Sequence, residues 1–291
     1  MTRKHPKIPF WIFLHGAHRI LWRDRIALVR IAAPWFAGLI IIDAVLNWAY
    51  FPWSNMENVA YVWIDFLYIV VSMALQLAIF SIVSVRFHRY ILLPDEETKL
   101  GPSSAPFNLV TAYFGRSLAI EMITFGLLAL MFLPGWFTTI AVFGAATSCA
   151  GGDASSSGAW AMSDTIIAGA GALLFIAACY FPVRISLALP ATAIGSPKRT
   201  FRDSWPATRG NFWRLLGGGV FSYWPVWLSM SLALASFSDE SQTRFEFVAG
   251  LAVQLAAICF AVLIWVAYFS LAYRHLVGGP MSRAGAMSKP Q

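Results

Sequence analysis

The chain has 291 residues, of which 58% are hydrophobic and only 12% are charged. Soluble proteins carry about 25% charged residues, and the mean hydropathy here is +0.65, so the composition excludes a water-soluble globular domain. The net charge of +7 has two explanations, a nucleic-acid partner or an uneven distribution of charge across a membrane.

Residues 1–30 are predicted to form a cytoplasmic amphipathic segment in the membrane interface. Seven Lys and Arg residues fall in it, and its apolar stretch, IPFWIFL at residues 8–14, is too short for a signal peptide and lacks a small-residue cleavage site. The mixture of apolar and basic side chains is typical of a helix lying in the interface. The apolar members are Trp11, Leu14, Ile20, Leu21 and Ile26, and the basic ones are Arg19, Arg23, Arg25 and Arg30.

Six runs without Lys or Arg are long enough to cross a bilayer, which takes roughly 20 apolar residues. They cover residues 31–50, 59–85, 117–136, 165–183, 215–237 and 247–273. A backbone in lipid has to satisfy its own hydrogen bonds, and these runs lack the alternation of a membrane barrel. The predicted fold is therefore an all-α polytopic membrane protein, with six transmembrane helices over residues 31–276 and a short cytoplasmic tail over residues 277–291.

Basic residues are distributed unevenly between the two sides of this layout. Twenty of the 21 Lys and Arg residues lie before the first run, between the second and third, between the fourth and fifth, or after the sixth, and only Arg244 lies on the other side. Cytoplasmic loops carry the basic excess, so both termini are predicted to be cytoplasmic and the protein to lie in a bacterial inner membrane. This asymmetry accounts for the net charge, so no nucleic-acid partner is predicted.

The ends of the runs predict three helical hairpins of similar construction. The second, fourth and sixth runs end on an arginine, a short apolar stretch and a proline, in SVRFHRYILLP (84–94), FPVRISLALP (181–190) and SLAYRHLVGGP (270–280). Aromatic and arginine residues precede the first, third and fifth runs. The predicted unit is an interfacial helix, an outward span, a loop and an inward span. The alternative is that all inward helix ends look alike because of the positive-inside rule.

Acidic residues inside the runs are the candidate functional groups, because intramembrane ionisable side chains are rare and costly. They are Asp43, Asp65 and Glu121. Asp43 and Asp65 lie at equal distances from Ser54, the centre of the first outer turn. If they face each other they would share a proton or bind a cation; otherwise they face an outer vestibule or two separate surfaces. Glu121 is expected to form a structural ion pair with Arg116 or with an arginine of a neighbouring hairpin.

No catalytic or metal constellation is evident within any one segment. His15 and His18 have i, i+3 spacing, but only Asp24 accompanies them, so interface histidines are favoured over a metal site. No nucleophile, base and orienting group occur together, so neither a catalytic residue nor a cofactor is predicted. Gln76 and Gln254 lie deep in two runs and are expected to form hydrogen bonds between helices.

The stretch FRDSWPATRGNFWRLLGGG, residues 201–219, combines basic, aromatic and glycine residues. It is not a phosphate loop, because no lysine follows its glycines. It is predicted to be an inner-surface helix, with Trp205 and Trp213 at headgroup level and Arg202, Arg209 and Arg214 toward anionic lipid. The glycines at 217–219 should let another helix approach the fifth run closely, and Pro225 should kink that run beside a cavity or a packing contact.

The same region resembles a known membrane unit. The stretches RISLALPATAIG (184–195) and FRDSWPATRGNFWRLLGG (201–218) resemble the juxtamembrane pattern of bacterial multi-pass families grouped around the membrane domain of glycerophosphoryl diester phosphodiesterases. The resemblance covers residues 180–220 and implies repeated helical hairpins of the stand-alone type. In the fused phosphodiesterases a separate soluble barrel carries the chemistry, and no part of that barrel is recognised here, so no catalytic residue is carried over.

These patterns favour a non-catalytic accessory or assembly subunit, with membrane lipids and other membrane proteins as partners. The short loops and the lack of a recognisable catalytic set agree with this interpretation. A lipid or small-solute transporter is the alternative, in which Asp43, Asp65 and the kink at Pro225 would line a pathway. The pair of broken helices that is usual in transporter halves is not evident in the sequence. An intramembrane enzyme is the third class.

Overall fold

The structure, a computed structural model, describes residues 7–50, 59–93, 106–148, 178–196, 201–236 and 244–277. All regular secondary structure in these ranges is helical, which confirms the all-α prediction. The helices are α1 (Phe10–Arg23), α2 (Arg25–Tyr50), α3 (Val59–Leu92), α4 (Phe107–Ser148), α5 (described over 178–185), α6 (Ala188–Ala193), α7 (Phe201–Ala207), α8 (Phe212–Ser222), α9 (Trp224–Ser236) and α10 (Arg244–Leu276).

Three of these helices are long and apolar enough to cross a membrane. The qualifying stretches are Arg25–Ala49 in α2, Phe66–Leu92 in α3 and Val248–Leu276 in α10, and they correspond to the first, second and sixth predicted runs. The outer faces of α2 and α3 are covered with exposed apolar side chains, which suit lipid and would be unfavourable in water. Examples are Ile41, Val45, Trp63, Phe66 and Leu67, each more than half exposed. The chain is therefore a helical membrane protein.

The third, fourth and fifth predicted runs are not established as spans in the same way. The third run lies within α4, and most of the α4 side chains beyond residue 127 lie outside the described part of the structure. Most of the fourth run also lies outside the described residues. The fifth run, predicted as one helix with a kink at Pro225, is two helices, because α8 ends at Ser222 and α9 begins at Trp224.

The break between α8 and α9 has a local cause. Pro225 has no N–H to donate to the carbonyl of residue 221, so a continuous helix would lose a hydrogen bond there. The chain instead closes α8 with a tight turn in which the Tyr223 N–H donates to the Val220 carbonyl over 3.1 Å. The interruption thus falls two residues before the proline that was expected to bend the helix.

Helix α10 is the centre of the molecule. It packs against α1, α2, α3, α6, α8 and α9. Its C-terminal half is buried on most sides, which is the pattern of a helix enclosed by others. The fully buried side chains there include Ile264, Val266, Tyr268, Phe269 and Ser270.

The predicted amphipathic segment is present as α1, but it is shorter than residues 1–30. It ends at Arg23, and Asp24, which forms an ion pair of 2.7 Å with Arg23, separates it from α2. Residues 25–30 therefore belong to the spanning helix. The buried side of α1 carries Leu14, Ala17 and Leu21, and it packs against α10 and α8.

The three predicted hairpins are not built alike at their inner ends. Short helices precede the spans in the first and third units, as α1 and α7. In the second unit α4 begins at Phe107 and continues without a break to Ser148, so no separate interfacial helix precedes its apolar part within the described ranges.

The glycines of α8 allow the close helix approach that the sequence predicts. A Cβ atom on Gly218 would overlap the ring of Tyr268 on α10, and one on Gly217 would lie 3.2 Å from Cε2 of Phe10 on α1. The Tyr268 hydroxyl donates to the Arg214 carbonyl over 2.6 Å. Helix α8 is thus fixed to α10 by both shape and a hydrogen bond.

We expect Gly218→Ala to destabilise the fold by about 1–3 kcal/mol, the usual cost of overpacking a filled interior. Gly219→Ala is the matched control, because the nearest atom to a Cβ there is Trp265 Nε1 at 3.9 Å, an ordinary contact. Thermal unfolding of the purified protein in mild detergent would measure both variants. Equal melting temperatures for the two would contradict the close packing at Gly218.

Candidate functional site: an intramembrane cavity

A cavity of about 420 Å³ lies between α3, α4, α5, α8, α9 and α10. Its volume is in the range of small-molecule sites, about 300–1,000 Å³. Apolar and aromatic side chains form most of its wall, and its polar members are hydroxyls, one thiol and one carboxylate. The polar members are Ser81, Ser84, Tyr113, Ser117, Glu121, Thr124, Cys179, Ser186 and Tyr223.

One face of α4 supplies the main polar stripe of this wall. Tyr113, Ser117, Glu121 and Thr124 are spaced by four, four and three residues, which places them above one another on a single side of a helix. All four line the cavity. The sequence shows this spacing, but only Glu121 of the four was predicted to be a candidate functional residue.

Three of the hydroxyl groups in the wall, those of Ser81, Thr124 and Ser186, donate their protons to backbone carbonyls three or four residues earlier in the chain. Ser81 Oγ donates to the Leu77 carbonyl over 2.7 Å, and Thr124 Oγ1 donates to the Ile120 carbonyl over 2.9 Å. Such bonds are usual for Ser and Thr inside membrane helices. The hydroxyl oxygens keep free lone pairs, so these groups can act as acceptors toward the cavity.

Glu121 does not form the expected ion pair with an arginine. Arg116 instead donates to the Thr192 hydroxyl on α6. No ion pair joins Glu121 to a basic residue within the described part of the chain, and the Glu121 side chain is exposed where it lines the cavity. Its carboxylate is therefore accessible at the edge of the site.

Behind the cavity wall, Tyr113 begins a buried hydrogen-bond chain. Ser270 donates to the Val266 carbonyl, so at its oxygen it accepts from Nδ1 of His88, 2.7 Å away. Nε2 of His88 is then the acceptor for the Tyr113 hydroxyl at 3.3 Å. Burial raises the pKa of the Tyr113 phenol, which keeps it protonated as this donor. The chain ties α3, α4 and α10 together behind the cavity with each buried group satisfied.

Asp43 belongs to a separate and closed network between α2 and α3. Its carboxylate accepts from Asn47 Nδ2 at 2.9 Å and from Ser72 Oγ at 3.1 Å. Tyr68 donates to Asn47 Oδ1 over 2.6 Å, and Gln76 donates to Ser72 over 3.2 Å. Asp43 is almost fully buried among these groups. The network fastens the first hairpin, which is a structural role.

The proposed meeting of Asp43 with Asp65 is not tested, because the Asp65 side chain lies outside the described part of the structure. The sequence analysis missed Asn47, Tyr68 and Ser72. Their signal was the i, i+4 spacing of Asp43 with Asn47 on α2, and of Tyr68, Ser72 and Gln76 on α3. The second deep glutamine, Gln254 on α10, accepts from Ser229 on α9 over 2.7 Å, as expected for a bond between helices.

The residues predicted to meet lipid headgroups separate into two groups. Arg202 and Arg209 are exposed, and Trp213 is 71% exposed. Trp205 is only 36% exposed, because its ring packs against the guanidinium of Arg184 at 4.4 Å. Arg202, Arg209 and Trp213 are therefore available to a membrane surface, and Trp205 is in part a packing residue.

Arg214 has an internal partner that the sequence did not indicate. It is half-buried and donates to the carbonyl of Ile8 over 2.8 Å. Asn211 Oδ1 accepts from the Ile8 N–H over 2.8 Å. Gly210, whose φ of 76° is in the left-handed region that glycine tolerates, turns the chain from α7 toward this point. The N–H and the carbonyl of Ile8 are thus both hydrogen-bonded, the first to Asn211 just before α8 and the second to Arg214 in the first turn of α8.

Comparisons with protein-family models, with curated proteins and with solved structures found no match to this chain. Its function is therefore inferred from the cavity and from the exposed arginines Arg202 and Arg209. The resemblance of residues 180–220 to the membrane domain of glycerophosphoryl diester phosphodiesterases stays a prediction.

Changing Arg202 and Arg209 together to Gln should lower the amount of anionic lipid that co-purifies, because each arginine near a charged leaflet contributes about 1 kcal/mol. The melting temperature should not change, since both side chains are exposed. Arg214→Gln should instead lower the melting temperature, because a hydrogen bond from a charged group contributes about 1.5–3 kcal/mol. Lipid mass spectrometry and thermal unfolding distinguish the two effects. Unchanged lipid in the double variant would contradict the surface role.

Proposed function

We propose that this chain is a membrane-embedded binding protein for amphiphilic molecules of the bilayer. The observation that carries the proposal is the cavity between α3, α4, α5, α8, α9 and α10, whose described lining combines apolar side chains with one accessible carboxylate, that of Glu121. Ligand sites are usually mostly apolar, with a few convergent polar groups. Binding could serve transport or handling of a lipid-like molecule, in line with the transporter alternative but with Glu121 in place of Asp43 and Asp65.

Asp43 does not support a transport site of its own. Its carboxylate already accepts two hydrogen bonds from Asn47 and Ser72. A carboxylate whose hydrogen bonds are already formed within the hairpin is poorly suited to bind a solute. Glu121 makes no hydrogen bond or ion pair to the described residues around it, so it is the better candidate for a ligand contact.

An accessory or assembly subunit is the second candidate function. The exposed apolar faces of α2 and α3 favour it, because another membrane protein can cover such a surface as well as lipid can. The inner arginines, Arg202 and Arg209, would then serve a lipid surface beside the partner. The two functions are compatible, since a subunit can carry a ligand.

For the arrangement in the membrane we propose six spans, as three hairpins with both termini in the cytoplasm of a bacterial cell, in the inner membrane. The support is the charge asymmetry, in which 20 of the 21 basic residues lie on one side, together with the three long apolar helices. Positive residues are retained on the cytoplasmic side during insertion.

Single cysteines placed at positions 55, 155 and 242, in a chain freed of its three native cysteines, should react with an impermeant maleimide added to intact cells. Cysteines at positions 97, 203 and 285 should react only after the cells are broken. The reason is the charge bias of the loops. Labelling of position 203 from outside would overturn the six-span arrangement.

The cavity itself is tested with a neutral photoreactive amphiphile, an alkyl chain that carries a diazirine and ends in an oligo(ethylene glycol). Wild-type protein in maltoside detergent should show saturable labelling on peptides of α4, α8 and α10. Gly219→Phe should abolish this labelling, because Gly219 lines the cavity and a Cβ there meets only Trp265 at 3.9 Å, so the new ring fits into the space.

Gly115→Phe is the matched control for this experiment. It adds the same ring on α4 at an exposed position with nothing within 4 Å of a Cβ, so it should leave the labelling unchanged. Thermal unfolding of both variants would confirm that each is folded. Saturable labelling that persists in folded Gly219→Phe would contradict the cavity as the binding site.

A further inference from the structure

We propose that the cavity selects amphiphiles that carry a positive charge, such as an alkylammonium, with Glu121 as the counter-charge. This inference rests on the proposed function and adds the chemical class of the ligand. The inference concerns the headgroup of the ligand, whereas the binding of amphiphiles in general depends on the apolar wall of the cavity.

The charges around the cavity favour a cation. Among the described residues that line the cavity, Glu121 carries the only carboxylate, and none is Lys, Arg or His. Arg116, the nearest basic residue on the same helix, is occupied by the Thr192 hydroxyl. An anionic headgroup would meet one like charge and no opposite one, which costs binding energy in an environment of low dielectric constant.

The uncharged groups of the wall also suit a cation. Ser81 and Thr124 have donated their protons to backbone carbonyls, so toward the cavity they offer lone pairs. Aromatic rings line the same space, among them Tyr223, Trp227 and Trp265. The faces of such rings attract ammonium groups, with tryptophan the strongest. A carboxylate, hydroxyl acceptors and aromatic faces together are the chemistry of a site for organic cations.

The position of Glu121 fits a charged end that stays close to the inner surface. It lies four residues beyond Ser117, where the third apolar run begins, which is about 6 Å along a helix. Its side chain is accessible rather than sealed. An ammonium group can therefore reach the carboxylate from the headgroup region while its alkyl chain packs along the apolar wall.

The test uses three photoreactive probes with the same diazirine-bearing alkyl chain, ending in trimethylammonium, in sulfate or in a neutral glycol. With wild-type protein, labelling of the α4 and α8 peptides should reach half-saturation at about tenfold lower concentration for the trimethylammonium probe than for the neutral one, as expected for one added ion pair and ring contacts. The sulfate probe should be the weakest. A trimethylammonium group cannot donate a hydrogen bond, so the comparison isolates charge.

Glu121→Gln should remove the preference for the cationic probe and leave the neutral probe unchanged. Glu121→Asp keeps the charge and should keep most of the preference, which makes the test independent of whether the Gln variant folds. Glu246→Gln is the matched control, since it removes a carboxylate of α10 that does not line this cavity, and labelling of the cavity peptides should be as in wild type.

The outcomes separate this inference from the function on which it rests. Equal half-saturation by the cationic and neutral probes in wild type, or a cationic preference that survives in Glu121→Gln, would overturn the charge selection while amphiphile binding stands. Loss of the cationic preference in 150 mM sodium chloride but not in an equal ionic strength of choline chloride would assign Glu121 to an inorganic cation and also overturn the inference. Absence of saturable labelling by all three probes would overturn both proposals.

Discussion

The contact between Tyr268 and Gly218 holds together the part of the molecule where α1, α8 and α10 meet. The ring occupies the space that any other side chain on Gly218 would need. The hydroxyl of the same tyrosine binds the Arg214 carbonyl, and the Arg214 side chain in turn binds Ile8. In lipid, where apolar chains give helices no hydrophobic reason to associate, close packing and hydrogen bonds between helices are the forces that remain. This one site supplies both, and it brings α1, α8 and α10 into register.

The polar groups of the interior differ in whether their bonding is complete. Asp43 and His88 lie in networks in which each neighbour supplies the donor or acceptor that is needed. Such networks stabilise and orient helices and are then chemically closed. Glu121 is the exception on the cavity wall, since neither an ion pair nor a hydrogen bond holds it within the described residues. An open carboxylate beside an apolar cavity is costly for the fold alone, which is the reason for proposing that a ligand binds there.

Much of the fold could be predicted because hydropathy and charge are properties of single segments. The spanning helices α2, α3 and α10, the amphipathic α1 and the close approach at Gly218 all follow from local composition and spacing. The break at Tyr223 was predicted only approximately, because Pro225 indicates that the helix is disturbed but not at which residue it ends.

The candidate site was less accessible to prediction, because a cavity depends on how several helices are rotated about their axes. The stripe from Tyr113 to Thr124 was readable from spacing, but the walls supplied by α8, α9 and α10 were not. Arg214 illustrates the same limit. Its sequence neighbours suggested a lipid contact, and its partner Ile8 is 206 residues away.

The hydrogen bonds that hold Ile8 also constrain the order in which the helices can pack. Helix α1 is made before α8 and α10, yet the side chains that pack against it belong to those two helices. Until α8 and α10 are made, α1 therefore lies at the membrane surface, where no other helix covers Leu14, Ala17 and Leu21. An amphipathic helix tolerates this interval, because the interface shelters its apolar side. Helix α1 thus reaches its buried position only after α8 and α10, which follow it in the chain, have been made.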